Sequence, residues 1–221
     1  MNKATLAPIG LLAEYTRVRQ TTERLCRPLA VEDYVIQAMP DASPAKWHLA
    51  HVSWFFETFL LKPHLPGYQP ADSRYEFLFN SYYNGVGPQH SRPARGLLSR
   101  PTVAEVYDYR RHVDDAVARL LEHPNANGVA SLVVLGINHE QQHQELLLTD
   151  IKHNLSINPL RPAYHESSAP IAGAGPPLHW HGGIVQSGYD GAEFAFDNER
   201  PLHQELLRPY RLASRLVTCG D

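Results

Sequence analysis

The sequence predicts a mainly α fold: a four-helix bundle over residues 6–158, a linker over 159–177, and the opening part of an α+β domain over 178–221. Three observations predict it. Four segments carry apolar residues three and four apart, which places them on one face of a helix. Proline, glycine, alanine and serine then crowd Pro159 to Pro177, the texture of a linker. Beyond it, His179-Trp-His-Gly-Gly-Ile-Val-Gln-Ser-Gly-Tyr-Asp-Gly191 alternates residue types between turn signals, the pattern of strands.

The first helix runs from about Leu6 to Leu29. Leu11, Leu12, Tyr15, Val18 and Leu25 form its apolar stripe, with Arg17, Arg19, Glu23 and Arg24 expected on other faces. Ser43-Pro44 opens the second, serine as N-cap and proline at the first helical position. It continues through Trp47, Leu49, Trp54, Phe55 and Phe59 to Leu61, where Pro63 and Pro66-Gly67 end it. Pro66 to Pro101 is long for a structureless connection, and its aromatics Tyr75, Phe77, Phe79, Tyr82 and Tyr83 argue for an ordered loop over a site. Thr102-Val-Ala-Glu105 is a capping box that starts the third helix, which carries Val106, Tyr109, Val113, Val117 and Leu120. The fourth spans about Val129 to Leu155, with Leu132, Leu135, His139, His143, Leu146 and Leu147 along one side. Four long helices joined by loops make a bundle.

Composition narrows the function. Of 221 residues, 43% are hydrophobic and 19% charged, which supplies a core of ordinary size. A net charge of -3 offers no basic surface for nucleic acid. No apolar run approaches the ~20 residues of a membrane span. Cys26 and Cys219 are far apart and form neither a disulfide framework nor a C-x-x-C motif, so a reducing, cytoplasmic setting fits. Thirteen histidines stand out, because histidine is the commonest metal ligand. His64, His123 and His165 sit among prolines and polar residues and read as surface positions.

The sharpest local signal is His139-Glu-Gln-Gln-His143. Residues four apart share a helix face, so the two imidazoles can hold one ion. A third ligand is needed. His51, flanked by Ala50 and Val52 on the second helix, is the first choice; His48, three residues earlier, is the competitor. Three neutral imidazoles suit zinc, iron, copper or nickel, and three protein ligands leave coordination positions open, the catalytic pattern. The same five residues match H-E-x-x-H, in which Glu140 would be the general base of a zinc hydrolase.

Longer motifs carry a resemblance. Trp47-His-Leu-Ala-His-Val-Ser-Trp-Phe-Phe-Glu-Thr-Phe-Leu-Leu, Tyr75-Glu-Phe-Leu-Phe-Asn-Ser-Tyr-Tyr, Arg92-Pro-Ala-Arg-Gly-Leu-Leu-Ser-Arg-Pro-Thr and Leu135-Gly-Ile-Asn-His-Glu-Gln-Gln-His-Gln-Glu-Leu-Leu-Leu-Thr-Asp-Ile-Lys-His closely resemble the sulfoxide synthases of ergothioneine biosynthesis. Gly188-Tyr-Asp-Gly, Phe194-Ala-Phe-Asp-Asn-Glu-Arg-Pro-Leu-His and Leu212-Ala-Ser-Arg-Leu-Val-Thr are similar to the start of that family's second domain, itself like formylglycine-generating enzyme (the sulfatase-modifying-factor fold). The resemblance covers the chain from about Leu11 onward. It implies a DinB-like four-helix bundle and non-haem Fe(II) held by His51, His139 and His143. It implies an O2-dependent reaction joining γ-glutamylcysteine or cysteine to hercynine as a sulfoxide. Arg92 and Arg95 match arginines that grip the thiol substrate's carboxylates, a task suited to the guanidinium fork. Gln142 matches a residue that positions hercynine; a hydrogen bond to a ligand histidine is its alternative role. Asn80, Tyr82 and Tyr83 are expected to pack the loop.

The family's catalytic tyrosine falls beyond residue 221, and Thr218-Cys-Gly-Asp221 departs from the family pattern. The expectation is a fragment that binds iron with little turnover by itself. A DinB-like module that holds metal without turnover, and the zinc hydrolase, are the alternatives.

Overall fold

The computed structural model describes residues 8–122, 126–166 and 176–216. These residues fall into two compact units, one within Thr5–Glu166 and one within Ser167–Asp221. His123, much of the expected linker and the Thr218–Asp221 stretch, Cys219 included, lie outside the described residues.

In the first unit, α1 (Pro8–Cys26), α2 (Ala45–Phe55), α5 (Val103–Glu122) and α6 (Ala130–Ile157) are the four long helices. The fold is mainly α, with a short β part. α1 packs on α5 and α6, and α2 packs on the same two. Every residue of α2 is buried, the polar Lys46, His48, His51 and Ser53 included. A π-helical turn, Phe56–Leu61, prolongs it into the short α3 (Lys62–His64). Gly136 of α6 faces this turn, and a Cβ there would stand 2.3 Å from Cε1 of Phe56. The missing side chain is what lets the two helices approach.

Three expectations need correction. Ser43 does not cap α2: the N-cap is Pro44, with no side-chain bond. Ser43 Oγ instead accepts from Arg95, 2.9 Å away, and its N–H donates to Asp150. Arg19, expected on a face other than the apolar stripe, is also buried, ion-paired to Asp114 (2.7 Å) and Glu140 (3.0 Å). On α6 the core stripe runs through Val133, Ile137, Glu140, Leu147 and Ile151. Leu146 is exposed, and the histidines line a pocket beside that stripe. The capping box forms as read: Thr102 N–H donates to Glu105 (2.6 Å), and Glu105 N–H donates to Thr102 Oγ1 (3.2 Å).

Pro66 to Pro101 is ordered, with α4 (Tyr75–Phe79) and a 3₁₀ turn, Arg92–Leu97. Phe79 and Asn80 are buried, and the Tyr83 ring packs at steep angles against Trp54, Phe55 and Phe59. The second unit holds two antiparallel ribbons, β1 (Leu178–Trp180) with β4 (Tyr210–Leu212) and β2 (Gly183–Ser187) with β3 (His203–Leu207). No helix among the described residues is long and apolar enough to cross a membrane.

Candidate metal centre

α2 and α6 bring His51, His139 and His143 together. One ligand-capable nitrogen from each lies within 4.8 Å of the others, close enough to share one ligand sphere. His139 and His143 are one turn apart on α6, and His51 faces them from α2 with ring centroids 5.2 and 4.6 Å away. His51 is buried between two indoles, Trp47 at 4.5 Å and Trp54 at 5.3 Å, both nearly parallel to it. Its Nδ1 lies 2.6 Å from the Phe79 carbonyl. A carbonyl only accepts, so Nδ1 carries the proton and Nε2 keeps the lone pair. The Asn80 amide, bonded to the Gly87 carbonyl at 3.0 Å, pins the turn that presents that carbonyl.

The three rings fit a metal. Burial first, and then neighbouring imidazoles, hold His51 and His143 well below the usual histidine value; burial holds His139 down to about 4. All three are neutral near pH 7, the form that ligates. Among the described residues His139 Nδ1 is buried with no hydrogen-bond partner. Such a group is costly unless something binds it.

His48 does not join the cluster. Its Nδ1 is 2.9 Å from His143 Nδ1, and its Nε2 is 3.0 Å from Asp150 Oδ2, so both ring nitrogens are engaged. Glu140 is not a general base here. It is wholly buried, and its oxygens take Thr22 (2.6 Å), Arg19 (3.0 Å) and Arg110 (3.2 Å). Burial pushes its pKa up, but the two guanidiniums outweigh that and bring it to about 2. The hydrolase alternative loses its base.

The pocket over the histidines, about 280 Å³, is lined by Ser81, Tyr82, Arg92, Arg95 and Gln142 among others. Arg95 is buried, its guanidinium 3.4 Å over the Trp47 ring and held by Ser43 and Ser81 at 2.9 Å each. Burial, with the Arg92 charge beside it, lowers its pKa to about 10. Arg92 donates to Tyr82 Oη (2.8 Å) and to the Asp41 carbonyl. Among the described residues neither arginine has a carboxylate partner, and the Nε atoms of both are buried and unbonded. Gln142 is exposed at the rim and, among the described residues, makes no hydrogen bond to a histidine. A larger groove of about 420 Å³, between Leu29 and Pro159, is lined by neither histidine nor cysteine.

Sequence reasoning missed Asp150, Ser43, Ser81 and the Phe79 carbonyl. Asp150 had a signal: it follows His143 by seven residues, two turns along the same face.

A family model, the DinB superfamily, matches residues 14–147, well over half of the chain and all three histidines. The chain belongs to the DinB superfamily. It is also 29% identical, over 97% of its length, to hercynine oxygenase of Mycobacterium tuberculosis. The chain spans half the length of that relative. The two matches bear out the resemblance to the DinB-like ergothioneine sulfoxide synthases read from the motifs.

Proposed function

We propose that this DinB-superfamily chain supplies the iron site and the thiol-substrate grip of an ergothioneine-type sulfoxide synthase, in a reducing, cytoplasmic setting. The reaction joins hercynine to γ-glutamylcysteine or cysteine. One thiol, one imidazole C–H and one O2 give a C–S bond, an S=O group and one water. One observation carries the reading: three neutral imidazoles and two guanidiniums without carboxylates line a single pocket. The similarity to hercynine oxygenase supports it.

His51, His139 and His143 hold the ion. Fe(II) bound there supplies the redox chemistry that couples O2 to oxidation of the thiol and the imidazole. The Phe79 carbonyl keeps His51 in the ligating tautomer. Trp47 and Trp54 wall its two faces and keep water off the ring. Arg95, immobilised on Trp47 and by two serines, and Arg92 at the rim take the thiol substrate's carboxylates. Gln142 stands at the rim to orient hercynine. The strand-rich second unit is proposed as the beginning of a formylglycine-generating-enzyme-like domain.

The test is anaerobic Fe(II) titration with metal analysis, followed by γ-glutamylcysteine binding to the loaded protein. The expected result is one Fe(II) per chain and a thiol affinity that falls when Arg95 or Arg92 becomes alanine. Absence of iron uptake, or thiol binding indifferent to both arginines, overturns the proposal.

A further inference from the structure

His48 and Asp150 are buried, polar and outside the ligand set, yet they are chained to it. Asp150 Oδ2 accepts the Ser43 N–H at 2.8 Å and lies 3.0 Å from His48 Nε2. A carboxylate oxygen only accepts, so Nε2 of His48 donates to it and carries that ring's proton. A neutral imidazole has one N–H, which leaves Nδ1 of His48 as a lone pair. That lone pair faces His143 Nδ1 at 2.9 Å, and the contact needs one proton between the two nitrogens. The proton therefore sits on His143 Nδ1. His143 Nε2 is left with its lone pair, the arrangement a ligand requires.

We propose that Asp150 and His48 are positioning residues that fix the tautomer and ring orientation of His143, so that its Nε2 is the atom offered to the ion. The inference rests on the metal reading of the three-histidine site and adds to it an outer pair. The pair parallels the Phe79 carbonyl, which does the same for His51. Both anchors come from elements that also shape the substrate pocket. The Ser43 N–H ends on Asp150, while Ser43 Oγ accepts from Arg95. The His143 tautomer and the Arg95 fork are thus set from one residue. Outer partners of this kind are worth about 10–100-fold in metal affinity.

The experiment uses the full 221-residue chain. Long-range 1H–15N correlation spectra of the metal-free protein report which nitrogen of His143 is protonated, with no metal needed. The expected result is the Nδ1–H tautomer in the wild type and its loss in Asp150→Ala. Anaerobic Co(II) and Fe(II) titrations follow, on the wild type, Asp150→Ala and His48→Phe, with folding of each checked by circular dichroism. Both variants are expected to bind about 10–100-fold more weakly than the wild type, with an altered Co(II) d–d spectrum. An Nε2–H tautomer in the wild type, or variants that bind within about threefold of it, overturns the inference. A wild type that takes up no metal while showing the Nδ1–H tautomer condemns the metal reading instead, and the two failures are distinguishable. Should His48→Phe not fold, the wild-type tautomer and Asp150→Ala still decide the matter.

Discussion

Replacing Glu140 with glutamine separates two roles that the H-E-x-x-H motif leaves entangled. The Glu140 carboxylate is fully buried, 3.0 Å from Arg19 Nη1 and 3.2 Å from Arg110 Nη2, with the Thr22 hydroxyl at 2.6 Å. The neutral amide keeps the shape but removes the charge that compensates two buried guanidiniums. Breaking a buried pair from one side costs about 3–5 kcal/mol. Here the cost falls at the lower end, about 3 kcal/mol, because partners remain: Asp114 at 2.7 Å from Arg19 and Glu23 at 3.5 Å from Arg110. In a protein of this size that lowers Tm by about 10 °C. The assay is urea and thermal unfolding of the metal-free variant beside an Fe(II) titration. The expected outcome is a large loss of stability with metal affinity largely retained, because Glu140 is hydrogen-bonded to Thr22, Arg19 and Arg110 and to none of the site's nitrogens. An unchanged unfolding midpoint together with a metal affinity reduced tenfold or more would refute the reasoning and return Glu140 to the ion.

Other outcomes follow from the same packing. Gly136→Ala forces a methyl group against Phe56 at 2.3 Å and is expected to cost about 1–3 kcal/mol in urea unfolding; a neutral result would mean the π-turn is free to shift. Metal-free protein should lose stability as pH falls from about 6.5 toward about 4. The folded state holds His139 near 4 and His51 and His143 well below the usual histidine value, so the unfolded chain binds more protons across that window. The contribution is fully present above 6.5 and fades below it; unfolding midpoints flat over that range would contradict it. Arg95→Lys keeps a charge but loses the fork held by Ser43 and Ser81 and the stack on Trp47. Calorimetry of the metal-loaded variant should show thiol-substrate affinity reduced by about tenfold, roughly 1.4 kcal/mol, with metal affinity retained.

The parts legible in the sequence were those with local causes. Helical spacing located α1, α2, α5 and α6, the Thr102–Glu105 capping box set the start of α5, and the His139–His143 spacing put two imidazoles on one face. What was misread has partners far along the chain. Arg19 looks like a surface arginine until Asp114 and Glu140, 95 and 121 residues away, meet it inside the bundle. The α6 stripe was misplaced because pocket-facing Leu146 and core-facing Leu147 are adjacent and equally apolar. The group that orients His51 is a backbone carbonyl, which no residue type announces. The choice between His48 and His51 could not be made from spacing, since both lie on α2 and both are buried. It is made by what already occupies their ring nitrogens: Asp150 and His143 for one, the Phe79 carbonyl at Nδ1 alone for the other.

X-ray absorption of Fe(II)-loaded protein, read beside the same measurement on His51→Ala, reaches the central claim most directly. The account predicts a first shell with three imidazole nitrogens in the wild type, completed by light atoms, and loss of most bound iron when the α2 histidine is removed. Iron retained at full stoichiometry in His51→Ala, or a wild-type shell dominated by carboxylate or sulfur donors, would contradict it.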